Sequence, residues 1–225
     1  MCYNIGMLAY TDICCNIERF ERMCAEHGVT LTLATKTIPR EVLARLNTEY
    51  DLIFGENRVQ ELCEKYIEDA HWIFIGRLQK NKVKYLVDKV DMICSVDSVD
   101  LAQEIEKRCA KIDRVMPVLM ELNMGEAQKG GVAPEEAYTL ADAIMGLKHL
   151  SLEGVMVVLP AEGAEAAAER ASEAYRALGE RYPMRYLSMG MSGDYDIAMA
   201  HGANMLRLGS AVFGKRSGYG NQQNG

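Results

Sequence analysis

A chain of 225 residues with 49% hydrophobic content and a formal charge of -7 is long enough to bury a full core and has no general attraction to nucleic-acid phosphates or anionic lipid. Its seven cysteines, Cys2, Cys14, Cys15, Cys24, Cys63, Cys94 and Cys109, contain no C-x-x-C pair, which argues against a zinc or redox motif and for free thiols in a reducing compartment. Asp12, Glu18 and Arg19 interrupt the apolar N-terminal stretch before a signal core or membrane span forms, so a soluble, cytoplasmic protein with neither nucleic acid nor membrane as partner is expected.

An amphipathic stretch at 12–27 opens the chain as a helix. From there a short apolar run is followed, repeatedly, by a charged amphipathic segment. The runs are "LTLAT" at 31–35, "DLIFG" at 51–55, "HWIFIG" at 71–76, "MICSV" at 92–96, "VMPVLMEL" at 115–122, "LEGVMVVL" at 152–159, "RYLSMG" at 185–190 and "MLRLGSAVFG" at 205–214. Between them, Pro39 and Pro134 stand where a first helical turn begins, Ser98 caps "VDLAQEIEKRCA", and 166–181 is rich in Ala, Glu and Arg, all helix punctuation. Continuous rather than alternating apolar strands are buried on both faces and therefore parallel. An open doubly wound sheet shares this alternation, but eight units in a chain of this length, with no antiparallel remainder, predict a (β/α)8 TIM barrel with an extra N-terminal helix. Residues 1–214 are expected to form this single domain and "KRSGYGNQQNG", 215–225, a disordered tail.

In such a barrel, chemistry belongs to the loops after the strands. "SMGMSGD" sets Gly190 and Gly193 around Ser192, and "LGSA" sets Gly209 and Ser210 at the end of the last strand. Glycines let backbone N–H groups approach an anion, serines add donors, and a helix start favours negative charge. Either loop alone reads as a glycine turn with a serine cap; two together, after strands seven and eight, point to a phosphate. Lys36 ends the first apolar run, where its stem can lie on apolar wall and its amine can attack a carbonyl, although a snorkelling or ion-paired lysine fits the same position. A reactive amine beside a phosphate site suggests a phosphorylated aldehyde held as a Schiff base. Arg207, two residues before Gly209 on the same strand face, needs an acceptor inside the barrel; a pyridine nitrogen and a plain internal salt bridge serve equally.

The motifs "ATKT", "FGENRVQE", "FIGRLQKNK", "NMGEAQKGG", "LEGVMVVLP" and "LSMGMSGDYDIAMAHGANMLRLGSAVFG" run through nearly the whole chain, which resembles the pyridoxal phosphate homeostasis proteins, single-domain relatives of the alanine racemase barrel of fold-type III. The resemblance implies that Lys36 forms the Schiff base with pyridoxal 5'-phosphate (PLP). It further implies that Asn57 lines the cofactor ring, that Ser188, Gly190, Ser192, Gly209 and Ser210 surround the phosphate, and that Arg207 faces the ring nitrogen. Two positions depart from the family: Ile73 stands where a histidine is expected and Arg77 where proline is common, which removes any proton relay through a histidine there.

Three functions compete. A racemase needs an acid and a base on opposite faces of the substrate carbon, and only Lys36 is evident, Tyr195 reading better as a solvated helix start. An arginine at the ring nitrogen also weakens the ring as an electron sink. A carrier that buffers PLP and delivers it to apo PLP-dependent enzymes, acting as a monomer and not as an enzyme, is therefore expected ahead of the racemase, and a lysine aldolase would leave the protein colourless. Arg77, Lys80, Lys82 and Lys84 form a basic cluster that reads as a solvated face, a docking patch for acidic partners or, with Lys129, a weak second cofactor site. His27, His71, His149 and His201 show no metal spacing, and the fourteen methionines read as core filler.

Overall fold

The structure, a computed structural model, describes residues 8–125 and 130–214; the tail expected at 215–225 lies outside the described residues. Helix α1, Tyr10–Glu26, buries Ile13, Ile17, Phe20 and Cys24, a stripe at three- and four-residue spacing that lays one helical face on the body of the protein. The strands follow as β1 Thr30–Ala34, β2 Ile53–Glu56, β3 His71–Phe74, β4 Met92–Val96, β5 Met116–Leu122, β6 Leu150–Val157, β7 Tyr186–Ser188 and β8 Met205–Leu208. They pair in sequence order and β8 closes on β1 in parallel, so the closed (β/α)8 barrel is the architecture that the eight apolar runs predict.

The connecting helices are α2 Arg40–Glu49, α3 Val59–Lys65, α4 Val99–Cys109, α5 Ala137–Met145, α6 Ala164–Gly179, α7 Tyr195–Ala200 and α8 Ser210–Phe213. A 3-10 helix, Lys80–Tyr85, takes the helix position after β3. Strand side chains divide by parity. One set, including Leu33, Phe54, Trp72, Phe74, Ile93 and Leu208, packs on the helices, and the other, Ala34, Ile73, Ile75, Met92, Cys94, Leu119, Met156 and Met205, fills the barrel. Ile73, where a histidine is expected, belongs to that inner apolar set.

Several boundaries differ from expectation for local reasons. Ser98 Oγ accepts from Leu101 N at 3.3 Å, as a helix cap should. Pro134 instead sits in a turn ahead of α5, its carbonyl accepting from Ala137 N. The apolar run 205–214 is strand only to Leu208, because Gly209 turns the chain into the short α8. Strand β7 ends at Ser188, two residues before Gly190, whose φ of 96° leaves the extended region. As a result β7 and β8 share one ladder pair, Ser188↔Met205. Side chains complete that joint: Asn204 Oδ1 accepts from Leu187 N at 2.7 Å and Ser192 Oγ accepts from Gly209 N at 3.1 Å. Among the described residues no helix is long and apolar enough to cross a membrane.

Candidate functional site

Strand register brings the predicted residues to one end of the barrel. Ala34 pairs with Gly55 of β2 and Leu33 with Leu208 of β8. Two residues past Ala34, the exposed Lys36 therefore stands at the rim between Asn57 and the Gly209–Ser210 turn. The two sides are close: a Cβ added at Gly209 would lie 3.3 Å from the Ala34 carbonyl oxygen.

Ser192 Oγ accepts from the amides of Gly209 at 3.1 Å and Ala211 at 3.0 Å, so the loops after β7 and β8 form one cup. Ser210 is exposed on its edge. Gly190 supports the cup from below, its carbonyl accepting from Arg207 N at 3.0 Å. A Cβ at Gly190 would meet Ala198 Cβ at 2.7 Å and Leu206 Cδ2 at 2.8 Å, so glycine is required both for φ and for space. Ser188, assigned by resemblance to the phosphate, is fully buried, and its Oγ and carbonyl oxygen each accept from Arg207 Nη1 at 2.8 Å.

Arg207 is buried inside the barrel, its Nη2 donating to Val157 O at 2.9 Å. Among the described residues no carboxylate lies at ion-pair distance from it, and its guanidinium bonds to Ser188 and Val157. Burial lowers the affinity of its guanidinium for the proton, opposed by the charges of Cys94, Glu121 and Asp194. Burial also pushes the Cys94 thiol up to about 12, with Arg207 acting in the opposite sense.

Glu121 was not singled out by sequence. It lies two residues past Leu119, on the inner face of β5, and is 8% exposed. Burial raises its carboxyl above the usual range, Asp97 adds to the rise, and Arg207 and Arg77 oppose it. A raised carboxyl favours folding at low pH, where it is protonated in both states, and loses that favour as pH climbs through its folded value. Glu121→Gln should therefore raise Tm by a few degrees at pH 8 and have no effect at pH 3, as thermal unfolding at the two pH values would show.

Sequence reading also passed over Glu56, Glu61 and Lys65. Glu56 is fully buried, yet it is flanked in sequence by residues of the mouth; Lys65 Nζ lies 2.8 Å from Glu56 Oε2 and 3.0 Å from Glu61 Oε2. The four-residue spacing of Glu61 and Lys65 on α3 was the signal available. Gly76 is a second omission, since a Cβ there would lie 2.1 Å from the Asn57 carbonyl oxygen. Tyr195 is turned to α1, its ring edge-on to Phe20 at 5.6 Å. In the basic cluster, Lys80 pairs with Asp100 at 2.9 Å beside a cavity of about 900 Å³ that Arg77, Asp97 and Ser98 also line; Lys129 lies outside the described residues. Among the described residues no group of three His, Cys, Asp or Glu side chains is arranged for a metal, and the cysteines are free.

Comparison with known proteins places the chain in a family. Residues 13–217 match the family described as alanine racemase, N-terminal domain. The pyridoxal phosphate homeostasis protein of Aquifex aeolicus is 38% identical, over 89% of this chain and 95% of its own. Its namesake from Vibrio cholerae is 34% identical, over 91% and 93%. Among solved structures, PipY of Synechococcus elongatus with PLP bound superposes with a TM-score of 0.79 at 27% identity, over 88% of this chain and 100% of that one. The chain thus belongs to the pyridoxal phosphate homeostasis family, built on the barrel of the alanine racemase N-terminal domain.

Proposed function

We propose that this protein holds PLP at the barrel mouth as a Schiff base on Lys36, and that it buffers the cofactor and delivers it to apo enzymes without catalysing a reaction of its own. The observation that carries the reading is the approach of the Lys36 strand to the Gly209 cup, which lets one small molecule reach an amine and an anion site together. Asn57 supplies an independent test of fit. Its Oδ1 is buried with no hydrogen-bond partner among the described residues, and a buried acceptor left unpaired is costly unless a ligand group completes it.

In this reading the amides of Gly209 and Ala211 pass their hydrogen bonds from Ser192 Oγ to the phosphate, the hydroxyls of Ser192 and Ser210 donate to it as well, Asn57 lines the ring and Gly190 shapes the cup. Arg207 faces the ring nitrogen with the N–H groups that Ser188 and Val157 leave over, and Ser188 acts by fixing that guanidinium. Bound PLP supplies an electrophilic aldehyde carbon and an electron-withdrawing ring. Arginine does not give up its proton in this setting, so Arg207 leaves the ring nitrogen a poor place for negative charge to collect, which favours carriage over carbanion chemistry. Tyr195, held against Phe20, offers no acid opposite Lys36.

Borohydride reduction of the PLP-loaded protein followed by peptide mapping should leave a pyridoxyl mass on Lys36. A panel of L- and D-amino acids should show no turnover. Interconversion of any pair would replace the carrier with a racemase.

A further inference from the structure

Two unfavourable features meet at the turn that carries Lys36. Thr37 has φ 65°, a left-handed conformation that costs a β-branched residue roughly 1–2 kcal/mol. Glu56 is fully buried and Lys65 is 8% exposed, and burying such a pair gives little or no net stability compared with apolar residues of the same volume. Neither feature is needed to close a barrel.

Their hydrogen bonds show what they hold. Lys65 Nζ, besides its two carboxylates, donates to the Thr35 carbonyl oxygen at 3.0 Å. Glu56 Oε2 accepts from Thr35 Oγ1 at 3.1 Å, and Glu56 Oε1 accepts from Asn57 N at 2.7 Å. Glu61 Oε2 accepts from Thr37 N at 3.0 Å, fixing the strained residue itself. One carboxylate–ammonium–carboxylate chain thus grips the residue before Lys36, the residue after it, and the amide of Asn57. An ion pair serving stability alone has no reason to spend its bonds on both neighbours of one exposed lysine.

We propose that Lys65, Glu56 and Glu61 are positioning residues that lock the backbone on either side of Lys36, so that before the cofactor arrives its amine is aimed at the aldehyde carbon, where a C=N bond replaces the C=O bond and the aldehyde oxygen leaves as water with two of the ammonium protons. This rests on the function proposed above. It adds that a network behind the mouth, buried at Glu56 and Lys65 and part-exposed at Glu61, and not the turn's own sequence, sets the reactivity of the amine. An aimed amine gains rate through orientation, and loss of aim of about 1 Å costs up to roughly a hundredfold.

The test separates aim from binding. Bond formation is followed by stopped-flow absorbance on mixing apo protein with PLP, and phosphate and ring binding by calorimetry with pyridoxine 5'-phosphate, an alcohol that cannot bond to the amine. Glu61→Leu should slow bond formation about tenfold or more with pyridoxine phosphate affinity unchanged. Glu61→Gln, which keeps an acceptor for Thr37 N, should restore most of the rate. The pair Glu56→Gln with Lys65→Met, which leaves no unpaired charge buried, should resemble Glu61→Leu. If either folded variant forms the bond at the wild-type rate, or if rate and analogue affinity fall in parallel, the positioning role is wrong; if the double variant fails to fold, the Glu61 pair decides alone. A wild-type protein that gains no near-visible absorption with PLP would instead overturn the proposed function.

Discussion

Lys36→Ala should leave the barrel folded and abolish the near-visible absorption expected of the wild-type protein with PLP. The side chain is exposed on a turn, away from both apolar clusters, so its removal should change stability by no more than about 0.5 kcal/mol. The cup remains. Its amides and hydroxyls contribute about 1 kcal/mol of net free energy each, so the phosphate alone supports affinity only in about the millimolar range. Absorbance titration of wild type and variant measures the first effect, and competition by inorganic phosphate the second. A variant that still turns yellow at micromolar PLP would move the bond to another lysine.

Gly76→Ala is expected to be the most damaging single methyl at the mouth. The added carbon would sit 2.1 Å from the Asn57 carbonyl oxygen and 2.6 Å from its carbonyl carbon and Cα. These are backbone atoms, which no rotamer change can remove, and Asn57 N is itself tied to Glu56. Overpacking of this kind costs about 3 kcal/mol, or roughly 6–12 °C in Tm for a chain of this size. Relief by moving the β2 end away from β3 would carry Asn57 out of the mouth, so affinity for pyridoxine 5'-phosphate should fall together with Tm. Full affinity in the variant would show that Asn57 does not line the site.

The barrel was legible because parallel strands covered on both faces must be continuously apolar, and the eight runs are. The candidate site could be read where residue type reports a backbone demand: Gly190 has no room for a Cβ, Gly209 has little, and Lys36 ends a buried run. The residues that escaped are those whose meaning depends on a partner distant in the chain. Glu56 and Lys65 are ordinary charges in sequence and a buried pair only once α3 lies back on β1 and β2. Glu121 is the one charge within the apolar run 115–122 and looks like an outward-facing acid until strand parity turns it inward. Ser188 was grouped with the other serines of its loop, whereas its position on β7 hands it to Arg207. The end of β8 was read as strand because "SAVF" is apolar; burial of Val212 and Phe213 is achieved just as well by one helical turn.

The meagre joint between β7 and β8 makes this cylinder a hoop with a buckle. Every other pair of staves is joined through two or more register pairs, and this one through a single pair and a few side-chain hooks. The seam therefore parts most readily where the loops after β7 and β8 meet, and in the proposed function an anion lodged across them would draw the buckle tight. On that proposal, loading and mechanical firmness would be the same event, and an unladen hoop would give way first at the lip where the anion is expected to sit.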